Sequence, residues 1–299
     1  MPELPEVETI RAQLEPRVVG RRIERLEVAD PLLTAPEDPE AVAQVVRGAV
    51  ISGVGRRGKY LEIMFRSGDS MAVHLRMTGR LHWRSGPPAD GEERYLRALV
   101  LLDDGATITF GDARRFGRLW HVASGVDRTS YWNTRVGVEP LSPQFTADRL
   151  AGALAGRRVA IKPALLNQRI VAGLGNMYVD EALYAACVHP TRPAGELEGD
   201  EIRALHRAIR DRLKVAIRAG GASIDTYRDG LGQAGRMQTL LRVHLHEGEA
   251  CRRCGATIVK TVVAQRGTYW CPQCQPDPFG MVPEPSRRRP RRIRQGVQG

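Results

Sequence analysis

The chain is 299 residues long, enough for two domains with separate cores, and carries 45 Lys and Arg against 34 Asp and Glu for a formal net charge of +11. Its last stretch, Arg287 to Gly299, holds six arginines and no acid, yet the remainder still stands at +5, a balance that favours a polyanionic partner. No apolar run is long enough to span a bilayer and the N-terminus is charged rather than built as a signal peptide, which excludes a membrane partner and points to the cytoplasm; five cysteines, four of them in two close pairs, suggest a metal in a reducing compartment rather than disulfides.

In chain order, Met1-Pro-Glu-Leu-Pro-Glu-Val-Glu-Thr-Ile-Arg11 opens a helix. Pro5 suits its first turn, Val7, Ile10 and Leu14 give it one apolar face, and Pro16 is expected to stop it. If Met1 is removed, Pro2 presents a secondary α-amine beside the Glu3 carboxylate. Such an amine titrates near pH ~8, so part of it is neutral and nucleophilic at physiological pH. Attack on a sugar C1′ would give an iminium that stays cationic, with Glu3 placed to move protons. Taken alone, a proline in second place is common and signifies only an N-terminal helix.

From Arg22 to Trp120 the pattern is mostly of strands: Arg22–Ala29, Val50–Val54, Tyr60–Phe65, Met71–Leu75, Leu99–Leu102 and Ala106–Phe110. Asp103-Asp104-Gly105 is a hairpin signal, while Pro31–Pro39 and Ser85–Glu93 read as loops. Many short strands with few helices between them predict a β-sandwich or barrel. Prolines in Gly137–Thr146 mark a domain boundary, after which the periodicity turns helical. Asp200 is expected to cap a long helix carrying Ile202, Leu205, Ile209, Leu213 and Ile217, ended by Gly220-Gly221. Gly221–Gln238 reads as a flexible glycine-rich loop. Cys251-Arg-Arg-Cys254, sixteen residues, then Cys271-Pro-Gln-Cys274 fits a four-thiolate zinc site with no position open to water. One structural Zn²⁺ is therefore expected, stabilising a hairpin too small to fold alone. Cys187 stands apart and reads as a buried apolar filler.

The opening nonapeptide resembles the start of the Fpg branch of the Fpg/Nei family of base-excision repair enzymes, and the likeness runs, with interruptions, from Pro2 to about Gln275. It implies an α+β multidomain chain. Residues 2–140 would be an N-terminal β-sandwich catalytic domain with a leading helix. Residues 141–240 would be a helix-two-turns-helix DNA-binding domain, and 241–276 a four-Cys zinc-ribbon hairpin. A Pro/Arg-rich disordered tail, 277–299, would follow.

The resemblance also assigns roles. Pro2, Glu3, Lys59 of Arg56-Arg57-Gly58-Lys59-Tyr60, and Arg266 of Ala264-Gln-Arg-Gly-Thr-Tyr-Trp270 would be catalytic. Met77, Arg114 and Phe116 would fill the gap left by a base flipped out of double-stranded DNA, offsetting part of the few kcal/mol that extrusion costs. Asn176 of Gly173-Leu-Gly-Asn-Met-Tyr-Val-Asp-Glu181 would grip a phosphate, and so would Arg158. Glu181 is either an active-site carboxylate or a helix-start acid. The implied enzyme is a monomeric bifunctional DNA glycosylase and AP lyase for oxidised purines, cytoplasmic and on the nucleoid when bound to DNA.

Two alternatives compete. An endonuclease VIII-like enzyme for oxidised pyrimidines is disfavoured by Glu3-Leu4-Pro5-Glu6, since those relatives typically begin Pro-Glu-Gly-Pro. A non-enzymatic zinc-ribbon DNA-binding protein leaves Pro2, Glu3, Lys59 and Arg266 without a reason. The chain departs from the family pattern at Leu245, His246, Met237 and Tyr95, which bears on loop geometry and lesion preference.

Overall fold

A computed structural model describes residues 1–88 and 93–280. The tail from residue 281 onward, and part of the expected loop over Ser85–Glu93, lie outside the described residues. Helix α1, Leu4–Val18, is entered through a capping box in which Glu3 and Glu6 satisfy each other's backbone N–H groups. Pro16 does not end it, contrary to expectation. Burial of Val18 and a bond from Val19 N–H to the Glu15 carbonyl (3.1 Å) hold the last turn despite the donor missing at Pro16.

Eight strands follow, β1 (Ile23–Val28), β2 (Ile51–Arg57), β3 (Tyr60–Phe65), β4 (Ser70–His74), β5 (Arg80–Arg84), β6 (Leu96–Leu102), β7 (Thr107–Gly111) and β8 (Arg118–Val122). They form two four-stranded antiparallel sheets, ordered β1-β6-β7-β5 and β2-β3-β4-β8, which is the expected sandwich with its leading helix. The hairpin at Asp103-Asp104-Gly105 joins β6 to β7, with Gly105 at φ 79°. Strands β5 and β8 lack a clean apolar run, and helix α2 (Pro39–Val46), capped by Asp38, starts where the loop expected over 31–39 ends.

The second half is helical: α3 (Arg128–Asn133), α4 (Ala147–Leu154), α5 (Ile161–Leu166), α6 (Asn176–Ala185) and α7 (Gly199–Arg218). The cap of α7 is Glu198, paired with Glu201 in a capping box, rather than Asp200. Its apolar face is as expected, with Ile202, Leu205, Ile209 and Leu213 buried and Ile217 partly so, and Gly220 and Gly221 terminate it at φ 72° and 78°. The following segment, expected to be flexible, is irregular but tied down. Ala222 N–H donates to Glu6 Oε1 (2.8 Å), Met237 N–H to the Gly221 carbonyl (2.9 Å), and Tyr227 enters the sandwich core. Strands β9 (Val259–Val263) and β10 (Arg266–Trp270) close the chain as a hairpin turning at Ala264-Gln265, both at positive φ. Among the described residues no helix is long and apolar enough to cross a membrane.

Two cores meet along α1. Val7, Ile10, Leu14 and Val18 belong to the sandwich core, whereas Leu4 is buried in the helical core with Leu174, Tyr178 and Leu205. The first residues of the chain are thereby pinned in the seam between the two halves. Cys187 is exposed, not buried as expected: it sits in the left-handed region (φ 59°) just past α6, 2.7 Å from Arg253 Nη1.

Candidate active site and zinc-ligand cluster

Leu4 N–H donates to the Gly173 carbonyl (3.0 Å), and Glu3 lies against the start of α6. There its carboxylate accepts from Gly175 N–H (2.6 Å) and Met177 N–H (3.1 Å), two of the donors a helix N-terminus leaves unsatisfied. The approach depends on glycine: a Cβ on residue 175 would stand 2.3 Å from the Glu3 carboxyl carbon, and one on residue 173 would stand 2.6 Å from Leu4. Burial raises the Glu3 carboxyl above its ordinary value and Glu6 adds to this, while Lys59 and the Met177 N–H oppose it.

Glu6 is a buried hub. Besides Glu3 N–H (2.9 Å) and Ala222 N–H, it accepts from the Tyr178 hydroxyl (2.7 Å), so one carboxylate joins α1, α6 and the segment after α7. Lys59 follows the β2–β3 turn, at which Gly58 takes φ 58° and packs its backbone on Ala172 and Gly173. Glu139 accepts from Gly58 N–H and from Arg56 Nη1 (2.9 Å), while Arg56 Nε reaches Glu8 (2.8 Å), locking the turn to α1 and to the segment before α4. Lys59 is buried, and burial lowers its ammonium below the usual lysine range; Glu3 and Glu6 oppose the shift and Arg266 adds to it.

Arg266 is exposed at the start of β10, and the strand behind it is clamped. Asn176 Nδ2 donates to the Gly267 carbonyl (2.9 Å). Lys162, fully buried, spends all three donors: on Asp180 Oδ1 (2.7 Å), Thr268 Oγ1 (2.8 Å) and the Gly267 carbonyl (3.0 Å). The other Asp180 oxygen accepts from His244 Nδ1 (2.8 Å) and Tyr269 N–H (3.3 Å). Pro2, Glu3, Lys59, Met77, Asn176 and Arg266 all line one cavity of about 430 Å³, together with His244 and Met1.

Met77 lies on a loop that is bonded to a second loop over residues 112–117. Asp112 joins them, accepting from the Thr78 hydroxyl, Arg114 N–H (3.1 Å) and Gly117 N–H (2.7 Å). Met77 and Phe116 are both exposed, and the Arg114 guanidinium lies 4.8 Å from the Phe116 ring centroid. Neighbouring His74 is pushed down to about 3 by burial and by Arg76 and Lys59, so its ring is neutral, and Nδ1 accepts from Arg76 N–H (3.0 Å). Arg114, Phe116 and Arg158 do not line the cavity; Arg158 is exposed between α4 and α5.

Glu181 fits neither reading of it. It is fully buried within α6, and its carboxylate accepts the N–H groups of Arg242, Val243 and His244 at 2.9–3.0 Å, holding the approach to the zinc module. Glu6, Glu139, Lys162, Asp180 and His244 carry much of the scaffold, yet nothing in their spacing announced it. Leu245 occupies the left-handed region at φ 67°, a conformation that costs a side chain about 1 kcal/mol or more.

The sulfurs of Cys251, Cys254, Cys271 and Cys274 all lie within 4.8 Å of one another, with separations of 3.5 Å (Cys254–Cys271) and 3.9 Å (Cys251–Cys274). A tetrahedron with Zn–S bonds of about 2.3 Å has edges of about 3.8 Å, so the four thiolates fit one structural zinc. Tyr184 OH lies 3.2 Å from Cys251 Sγ, and Val243, Ile258 and Tyr269 supply the module's small core.

Comparison with known proteins agrees along the chain. Residues 1–119 match the formamidopyrimidine-DNA glycosylase N-terminal domain, 136–228 its H2TH domain, and 248–276 the zinc finger found in FPG and IleRS. Formamidopyrimidine-DNA glycosylase of Symbiobacterium thermophilum is 47% identical over 293 residues, covering 98% of this chain and 95% of the relative. That of Roseiflexus sp. is 43% identical over 277 residues, covering 92% and 100%. Lactococcus lactis Fpg bound to abasic-site DNA superposes with a TM-score of 0.84 at 36% identity, covering 92% of this chain and all of that one. MutM bound to DNA containing carbocyclic 8-oxo-G gives 0.83 at 37%, with the same coverage. On this evidence of sequence, fold and zinc-ligand cluster, the chain belongs to the formamidopyrimidine-DNA glycosylase family.

Proposed function

We propose that the protein is a base-excision repair enzyme, a DNA glycosylase with AP lyase activity that removes oxidised purines from double-stranded DNA. The observation that carries this reading is the convergence of Pro2, Glu3, Lys59 and Arg266 on one cavity, at the seam where α1 joins both halves. Residues 2–140 would serve as the catalytic sandwich, 141–240 and 241–276 as the helical and zinc-bearing grips on DNA, and the chain would act as a cytoplasmic monomer.

With Met1 removed, the Pro2 amine attacks C1′ of the damaged nucleotide, and the glycosidic bond breaks with its electron pair leaving on the base. Glu3, whose raised pKa favours the protonated acid, supplies the proton. Loss of the Pro2 N–H proton and opening of the C1′–O4′ bond, whose electron pair leaves on O4′ and takes up a proton, give the iminium, which acidifies C2′–H. Loss of that proton expels the 3′ phosphate, and a second elimination expels the 5′ phosphate, leaving a one-nucleotide gap flanked by phosphates. Lys59 and Arg266 position phosphate and handle protons in those steps. Asn176 and Arg158 hold the backbone, and Met77, Arg114 and Phe116 fill the vacated stack. The zinc is structural and takes no part in bond breaking.

The test is incision of a duplex with one 8-oxoguanine opposite cytosine, compared with one bearing an oxidised pyrimidine. Cleavage at 8-oxoguanine, with phosphate on both new ends, is expected. Cleavage at the pyrimidine lesion alone would replace the reading with the endonuclease VIII-like alternative.

A further inference from the structure

A second concavity, of about 330 Å³, shares no residue with the catalytic cavity. Helix α6 touches both: Asn176 and Met177 line the first, whereas Glu181, Tyr184 and Ala185 line the second, with Met177 and Ala185 roughly 12 Å apart along the helix axis. Four arginines, Arg212, Arg242, Arg252 and Arg253, surround the second one.

Their charge is uncompensated. Glu181 is the only carboxylate in the lining, and it is fully buried with its oxygens taken by the N–H groups of residues 242–244. Arg253 is committed to the Tyr184 ring (4.5 Å to the centroid) and to Cys187 Sγ. The side chains of Arg212, Arg242 and Arg252 make no ion pair or hydrogen bond among the described residues, and Arg212 Nε is buried without a partner. Like charges gathered at one concavity repel one another until an anion joins them, and the planar guanidinium fork matches phosphate.

We infer that this concavity is a second nucleic-acid site, binding backbone phosphates of a DNA segment other than the one in the catalytic cleft. A protein partner is disfavoured because Tyr184 and Ala185 alone offer apolar surface, and protein interfaces depend on buried apolar or aromatic anchors. Two segments held by one chain would let the enzyme pass between duplexes without full release. The inference extends the DNA-acting reading above.

The test uses the full-length, zinc-loaded protein and a short undamaged duplex at low ionic strength, with stoichiometry read by sedimentation. Two duplexes per chain are expected for the wild type and one for Arg212→Gln/Arg242→Gln. Arg212→Lys/Arg242→Lys, which keeps the charge, retains the second. Lesion incision, measured in parallel, is unchanged in both variants; its absence in the wild type as well would count against the catalytic reading and leave the stoichiometry informative. One duplex per wild-type chain, two per Gln variant, or loss of the second duplex in the Lys variant would each overturn the site. So would binding of a deca-glutamate peptide there with no second duplex, which would reassign it to an acidic protein.

Discussion

Glu3 and Gly175 lie 172 positions apart in sequence, yet the Glu3 carboxylate accepts the Gly175 N–H at 2.6 Å, at the first turn of α6. No side chain fits between them, because a Cβ on residue 175 would stand 2.3 Å from the Glu3 carboxyl carbon. Gly175→Ala should therefore displace Glu3 while leaving both cores intact. Misplacing a catalytic group by about 1 Å can cost roughly a hundredfold in rate. A loss of that order in kcat/KM for lesion excision is expected, with DNA affinity within a few fold of wild type; unchanged kcat/KM would show that Glu3 needs no such placement.

The raised Glu3 pKa has a consequence for stability. Because the folded-state value exceeds the ordinary 4.5, the folded protein holds a proton more tightly than the unfolded chain does. The stabilisation associated with the protonated form is complete below pH 4.5 and is lost as pH rises through the folded value. Glu3→Gln, which imitates the protonated acid, should raise Tm at pH 7.5 and should show a shrinking advantage as pH falls toward 4.5, even though it abolishes excision. Thermal melts at a series of pH values check this, and a lower Tm for the variant at pH 7.5 would contradict it.

Lys162 and Asp180 form a fully buried ion pair that anchors the strand behind Arg266. Removing one partner strands the other charge, at a cost of about 3–5 kcal/mol. Lys162→Met should lower stability by about that amount and weaken lesion binding, because β10 loses its clamp. Lys162→Met/Asp180→Leu should recover part of the stability without recovering binding. Urea titration together with fluorescence anisotropy on a lesion duplex separates the two effects.

Removing the zinc should unfold the module from Val243 to Gln275, whose core beyond the cysteines is only a handful of side chains. One equivalent of zinc per chain should be released by chelator, and lesion binding should fall with it as Arg266 loses its support. The sandwich, with its independent core, should keep its thermal transition. Cys254→Ser that remained folded and active without metal would show the zinc to be dispensable.

The parts of the fold legible in sequence are those fixed by local rules. Alternation gave most of the sandwich, the apolar face of α7 is read directly from its spacing, and the cysteine pairs announced their cluster. Pro16 and Asp200 misled because a buried Val18 outweighs one missing hydrogen bond, and because Glu198 with Glu201 offers a reciprocal cap that Asp200 lacks. Within the site, Pro2, Glu3, Lys59, Asn176 and Arg266, the residues singled out by the family resemblance, line one cavity. Lys162, Asp180 and Glu181, and Glu6 apart from its capping bond with Glu3 three residues away, act through partners between 18 and 216 positions distant, which local patterning does not reveal. The segment 221–238 reads as loose because its composition is glycine-rich, while its order comes from bonds to α1.

The most direct test is borohydride trapping on a duplex with a single 8-oxoguanine opposite cytosine, using wild type and Pro2→Gly and mapping the cross-link by peptide mass. A covalent complex of wild type with DNA, carried on the Pro2 nitrogen of a chain lacking Met1, is expected. A complex mapped to a lysine such as Lys59, or none at all despite tight binding and release of the base, would contradict Pro2 as the nucleophile.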